Sequence, residues 1–445
     1  MEAETSDALA EGRCRPPAAP RIDGVGCTRV MTSPHPRRRA FCALGASSDV
    51  HADPSIRRAR VRQQSPSSCR IAHRACPGWA LALIPFTVLG SETMSLSADH
   101  VEFMLETAVA EIEVPGLSLA VFDEGTMIQC ATGRAQLDPE RRVRPEDLFP
   151  IWSLTKIMTA TMVLILADRG LLDLRATIAS AIPGIRIAGD AADRITIRQL
   201  LSHTAGMPPM TPPPSAIADK GAGDDCRELF VNNLASVRLI AQPGEVYSYS
   251  NSGYVVLGYL IERLTKTTWE AALCELLLDP AGIEEIDVPY HRPLDAARVA
   301  LYQRDDAGQL VRVEEIFPTW RSCAPCFSTL WGTARALVDL GRIFFNGVAP
   351  NGRRILSEAA LAEMREPESA ARSTLASAGL FQGLGWRGFD RRGHRVLAHG
   401  GGDHNHLSVV PSRNLAVAVM TNGPGGDDLR AQLPRQLIDA AVFTG

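Results

Sequence analysis

Lysine is rare in this chain: Lys156, Lys220 and Lys266 are the only three, and arginine supplies the other 43 of the 46 basic residues. One of the three follows a serine by three positions, in Ser153-Leu154-Thr155-Lys156. On a helix, residues at that spacing share a face, so the amine lies beside the hydroxyl and can take or steer its proton. Arginine cannot do this job. Its guanidinium stays protonated at any ordinary pH, whereas a buried lysine can lose its proton and act as a base. Ser153 is therefore the candidate nucleophile. A helix N-cap serine followed by a solvated lysine would show the same spacing, and the flanks decide between the two. Phe149-Pro150-Ile151-Trp152 leads in, and Ile157 to Leu166 is apolar on nearly every face. A helix apolar all round is buried. A lysine in its first turn is then desolvated, which favours the neutral amine.

Two further constellations follow in order. Tyr249-Ser250-Asn251 is the only Tyr-x-Asn in the chain, preceded by Pro243-Gly244-Glu245 and followed by Gly253-Tyr254. His399-Gly400-Gly401 comes much later. A tyrosine near a lysine can be held as phenolate and accept the serine proton, an amide can bind a substrate carbonyl, and glycines let a strand edge approach substrate closely. A stacked core tyrosine, a turn asparagine and a hairpin glycine run would explain each one singly. Their joint occurrence, in this order after Ser153, favours a site.

The elements that must position these groups can be read from periodicity. Ser97 to Glu111 is helical. Gly116 to Phe122 and Thr126 to Cys130 flank Asp123-Glu124-Gly125 as a hairpin, and His406 to Val410 and Leu415 to Thr421 flank Pro411-Ser412-Arg413-Asn414 likewise. Asp427 to Val442 closes the chain as a helix. Antiparallel strands near both ends predict one sheet built from both ends of the chain, with the middle as an insertion. The middle reads as helical: Ile197 to Gly206 ends on Gly206 as a C-cap, Val255 to Leu264 is apolar, and Thr333 to Phe345 is amphipathic. The fold class expected is therefore α/β (α+β): an antiparallel sheet flanked by helices, with an inserted all-helical lobe at roughly 185–365.

Composition bounds the function. With 45% hydrophobic and 22% charged residues the chain is an ordinary globule, and its net charge of −4 offers no basic field for nucleic acid. No apolar run reaches the length of a membrane span. A small, uncharged or mildly polar partner is the default. The first 93 residues differ, with 13 arginines against eight acids, five of the ten cysteines and no lasting periodicity. They are expected to be a disordered extension outside the working enzyme, which begins near Met94. Arg37-Arg38-Arg39-Ala40-Phe41 hints at a twin-arginine export signal, although the apolar stretch after it is short; a cytoplasmic location is otherwise slightly favoured. The remaining cysteines, odd in number and scattered, form no disulfide framework. Cys323 and Cys326 make a lone C-x-x-C without the second pair a metal site needs.

The chain from about Met94 onward resembles the serine β-lactamase and penicillin-binding-protein superfamily, in the class C-like branch that includes esterases, D-amino-acid peptidases and amidases. Val114-Pro115-Gly116, Ile197 through Gly206, Arg354-Ile355-Leu356-Ser357 and Gly383-Leu384-Gly385-Trp386 extend the likeness beyond the three motifs. The resemblance implies a mixed α/β sandwich with a helical lobe and an active site between them. It assigns Ser153 as nucleophile, Lys156 and Tyr249 as the general base pair, and Asn251, His399, Gly400 and Gly401 as substrate-binding residues. The backbone N–H groups of Ser153 and Gly402 would form the oxyanion hole.

Departures from the family pattern bear on substrate. His399 stands where many relatives have the lysine of K-T-G, which weakens the fixed positive charge aimed at a substrate carboxylate. Ala324-Pro325-Cys326-Phe327-Ser328-Thr329 replaces a Gly-Gly stretch, and Asn405 replaces a glycine, so pocket shape should differ there. His404 and His406 beside Asp403 do not assemble a metal site by sequence alone, and His203 reads as a structural residue at a helix end. The expected activity is a serine hydrolase that cleaves a small ester or amide through an acyl-enzyme, with no metal and no cofactor. A true β-lactamase or D-alanyl-D-alanine carboxypeptidase, an acyltransferase, and a non-catalytic ligand-binding descendant are the alternatives.

Overall fold

The computed structural model describes residues 96–111, 114–209, 226–288, 291–292, 294, 296–313, 326–368, 375, 378–402, 405–424 and 426–443. The N-terminal extension and its arginine motif, Lys220, Cys323 to Pro325, Asp403 and His404 lie outside the described residues.

The chain opens with helix α1, Ala98–Glu111, then strands β1, Gly116–Asp123, and β2, Thr126–Gln136, with a short β3, Arg141–Arg142. Near the other end come β9, Leu380–Gln382, β10, Arg387–Arg391, β11, His394–Gly401, β12, Asn405–Val410, and β13, Leu415–Thr421. Together they form one antiparallel eight-stranded sheet in the order β3-β2-β1-β13-β12-β11-β10-β9. The two ends of the chain meet where β1 pairs with β13, from Leu117 opposite Thr421 to Asp123 opposite Leu415. The expected sheet built from both chain ends is the one observed.

Both faces of its centre are covered, which is why β13 reads as an unbroken apolar run. On one face Leu117, Leu119, Val121, Val417 and Val419 pack against Val101 and Leu105 of α1 and against Leu429, Leu433 and Leu437 of the last helix, Gly426–Phe443. On the other, Ala120, Phe122, Ala416, Ala418 and Met420 join a core that runs into the inserted segment.

That segment enters through β4, Phe149–Pro150, and a short turn of 3-10 helix, Trp152–Leu154, into α2, Thr155–Asp168. Residues 155–166 of α2 are all buried, as its unbroken apolar composition predicts. Helix α3, Ile197–Leu201, and helix α4, Cys226–Asn233, follow, then α5, Asn251–Thr265, which opens on Ser250 as N-cap, the Ser250 hydroxyl accepting the Gly253 N–H. Helix α6, Ala334–Asn346, lies against β1, β12 and β13 and ends on left-handed Gly347. The insertion also carries small strands, among them β5, Ile286–Asp287, paired with a later segment Trp331–Gly332 that in turn pairs with β4.

One expected boundary is corrected. The helix read as Ile197 to Gly206 stops at Leu201. His203, with φ 58°, takes the left-handed position that terminates it. Gly206 is left-handed for a different reason: a β-carbon there would lie 2.2 Å from the Ala241 carbonyl oxygen. Among the described residues no helix is long and apolar enough to cross a membrane.

Candidate active site

Ser153 sits in the 3-10 turn that leads into α2, one turn before Lys156. Lys156 is fully buried, and its Nζ lies 2.9 Å from Ser153 Oγ while donating to the Phe327 carbonyl oxygen at 3.1 Å. Burial pushes the amine well below the ordinary lysine range, which favours its neutral form. The amine donates to the Ser153 hydroxyl oxygen as well as to the Phe327 carbonyl.

The turn is held in a demanding shape. Trp152 has φ 49°, a left-handed conformation that costs a non-glycine residue about 1–3 kcal/mol and persists only where its surroundings enforce it. They do so from three sides. The Ile151 N–H donates to the Leu330 carbonyl at 2.8 Å, and Thr155 Oγ1 donates to the Trp152 carbonyl at 2.7 Å. The end of β11 presses on the same turn, for a β-carbon at Gly401 would lie 2.5 Å from the Ile151 carbonyl oxygen, and one at Gly402 would lie 3.2 Å from the Trp152 ring. Gly401 is therefore required by close approach to backbone, while Gly402 is favoured by its left-handed conformation. Gly402, itself left-handed with φ 57°, lies beside the nucleophile-bearing turn, as its expected role requires.

Asn405 was expected to reshape the pocket, and its side chain does something else. It is wholly buried, its amide nitrogen donating to the Pro150 carbonyl and its oxygen accepting the Thr421 N–H at 3.0 Å. It ties the start of the Ser153 turn to β12 and β13.

Tyr249 lies on the segment before α5, and its phenol hydrogen-bonds Ser153. Lys156 Nζ is 5.0 Å from the centre of the Tyr249 ring. The phenolate that the sequence allowed is not the resting form. Burial raises the phenol pKa, more than the Ser153 hydrogen bond and the Arg387 charge lower it, so Tyr249 rests as a neutral phenol. Asn251 begins α5 two residues on, its N–H bonded to the Pro209 carbonyl at 3.0 Å.

His399 is buried in β11, with its ring centre 6.3 Å from that of Tyr249. Burial, with help from the Arg387 charge, brings its pKa down to about 3. Its Nδ1 faces the Gly400 carbonyl at 2.8 Å, which places the single proton of the neutral ring there. Gly400 pairs with His406 of β12, whose Nε2 meets Ser408 Oγ at 2.7 Å. Among the described residues no three His, Cys, Asp or Glu side chains are grouped to hold a metal ion.

The structure thus brings Ser153, Lys156, Tyr249, His399 and the Gly400-Gly401-Gly402 edge into one place. It adds residues that sequence reasoning missed. Arg387 on β10 donates through Nε and Nη2 to the Tyr247 hydroxyl at 3.0 and 2.6 Å, its guanidinium carbon 5.4 Å from the centre of the Tyr249 ring. Among the described residues it forms no ion pair. One arginine among 43 carries no signal in the sequence, and neither does the Phe327 carbonyl.

A family model described as Beta-lactamase matches residues 102–442. The chain belongs to this family. Beta-lactamase-family relatives include Penicillin-binding protein 4 of Amycolatopsis lactamdurans, 32% identical over 348 residues that cover 76% of this chain and 89% of the relative. Among solved structures, SurE superposes with a TM-score of 0.64 at 28% identity, over 76% of this chain and 75% of that one. The D-amino acid amidase from Ochrobactrum anthropi SV3 superposes with a TM-score of 0.62 over 77% of this chain and 96% of that one, where 22% identity shows the common fold. The protein is a serine hydrolase of the beta-lactamase family.

Proposed function

We propose that the chain cleaves a small ester or amide through an acyl-enzyme on Ser153. The observation that carries this reading is a fully buried amine 2.9 Å from a serine hydroxyl, its pKa pushed well below the ordinary lysine range, in a turn braced from three sides. Ser153 Oγ attacks the substrate carbonyl as Lys156 takes its proton. The oxyanion that forms is met by the backbone N–H groups of Ser153 and Gly402. Tyr249, a neutral phenol on the same hydroxyl, protonates the departing alkoxide or amine and is reprotonated from Lys156, so the serine proton ends on the leaving group. Water then attacks the ester of Ser153 with the same groups in reverse order. Asn251 binds a polar group of the substrate, and His399, Gly400 and Gly401 supply the strand edge along which it lies. The scheme needs no metal or cofactor.

Two observations bear on the substrate. His399 is neutral across the physiological range, so it offers no fixed charge to a carboxylate, which favours short esters and neutral amides. Arg387 supports a second reading: a guanidinium beside Tyr249, without an ion pair among the described residues, suits a substrate carrying a carboxylate, as a β-lactam or a D-alanyl-D-alanine peptide does. Steady-state kinetics on p-nitrophenyl esters, D-amino-acid amides and benzylpenicillin separates the two. We expect kcat/KM to be highest for an ester or neutral amide. A higher value for benzylpenicillin than for every ester and amide would establish the second reading instead.

A further inference from the structure

Helix α3 ends in a Schellman motif, the His203 N–H donating to the Leu200 carbonyl at 3.3 Å and the Thr204 N–H to the Gln199 carbonyl at 2.9 Å. His203 therefore occupies the first position past the cap, in the left-handed region. Glycine, and after it asparagine, fills this position, because a β-carbon there crowds the following carbonyl oxygen. Histidine is an unfavourable occupant, so its side chain must supply something glycine cannot.

That side chain is 3% exposed and makes two kinds of contact. Its Nδ1 accepts the Ser250 N–H at 3.0 Å, and its ring centre lies 4.3 Å from that of Tyr249, with the planes 37° apart. The rings of Tyr254 at 5.1 Å and Tyr247 at 6.1 Å complete the stack. The backbone immediately after Tyr249 and the phenol itself are thus fixed by one imidazole. Accepting at Nδ1 puts the single proton on Nε2, the neutral form. Burial enforces that form, and the Arg387 guanidinium of β10 adds to it.

We infer that His203 is a positioning residue for Tyr249, holding the phenol against Ser153 by ring contact on one side and by the Ser250 N–H on the other. The inference rests on Tyr249 acting in proton transfer, as proposed above. Only histidine among the common side chains combines a flat ring with an acceptor so close to the backbone: phenylalanine lacks the acceptor, and asparagine lacks the ring.

His203→Asn separates the two contacts, since its amide oxygen sits near the place of Nδ1 and asparagine tolerates the left-handed backbone. With a D-amino-acid amide as substrate, whose departing amine must take a proton, we expect this variant to melt cooperatively like the wild type, while kcat falls by about tenfold or more and KM changes by less than about twofold. Combined with Tyr249→Phe, it should add no further loss, because the histidine acts through the phenol. If His203→Asn does not fold, His203→Gly, with its relaxed backbone, carries the same kinetic expectation. Wild-type kcat in His203→Asn beside a crippled Tyr249→Phe would overturn the inference alone, and so would losses that multiply in the double variant. Wild-type kcat in Tyr249→Phe would remove the catalytic reading of Tyr249 and this inference together.

Discussion

A serine hydroxyl becomes a nucleophile at neutral pH only where a base of suitable strength is held against it, and the base proposed here is Lys156, which is cut off from water. The requirement is for a group that can be neutral, which sets lysine apart from the arginine used almost everywhere else in the chain. Lys156→Arg should therefore reduce kcat/KM about as severely as Lys156→Ala, by several orders of magnitude, although it keeps the charge. Near wild-type turnover in Lys156→Arg would make the lysine a mere counter-charge. His399 shows the same physics in stability. Its unfolded pKa is near the ordinary value of about 6.5 and its folded value about 3, so acid protonates the unfolded chain first. Its neutral, buried form is compatible with folding above about pH 6.5, and stability is lost as the pH falls from there toward 3. Thermal melts should show Tm falling through this window, with a shallower fall in His399→Gln; an unchanged slope would mean that His399 is protonated in the folded protein. At this scale the sequence was legible where residue type alone limits the chemistry, as with Ser153 and Lys156. It was silent about Arg387 and the Phe327 carbonyl, whose part depends only on where the backbone brings them. The resting state of Tyr249 was open in the sequence, because burial, which outweighs its neighbours' charges, is set by the fold.

The element that decides the site is the turn from Pro150 to Leu154, held in an unfavourable conformation by strands that come from the far end of the chain. Gly401 at the end of β11 leaves no room for a side chain against the Ile151 carbonyl, and that contact is with backbone, which cannot swing aside. Gly401→Ala should displace the turn and reduce kcat by about a hundredfold or more, the effect expected of a misplacement near 1 Å. Activity within twofold of the wild type would show that the turn's position is set elsewhere. β1 and β13 were readable as short unbroken apolar runs bounded by turn residues, and α6 by its amphipathic period, because burial on both faces or on one writes itself into residue type. The end of α3 was not, because a glycine at 206 looked like the usual stop signal while tertiary contacts forced His203 into that conformation. Asn405 was noticed only as a missing glycine; its clamp on Pro150 and Thr421 appears once β12 and β13 are paired.

Among the described residues, an inserted segment that carries Ser153, Lys156 and Tyr249 meets the end of an inner strand of the sheet, β11, that carries the neutral histidine and the glycines. That sheet closes only when β1 meets β13, so the site requires the entire span from the first strand to the last. The architecture was foreseeable from two widely separated sets of strands with helical segments between them; residues 153, 249 and 399 were joined in one site only through the family resemblance, and residue 387 not at all, since no periodicity encodes contacts between elements so far apart. The central claim, that Ser153 becomes covalently acylated, is tested most directly by intact-mass measurement after treatment with a fluorophosphonate. The account predicts one adduct per chain on the wild-type protein, mapped to Ser153, and none on a folded Ser153→Ala variant. An adduct that persists in Ser153→Ala, carried by another serine, would contradict it.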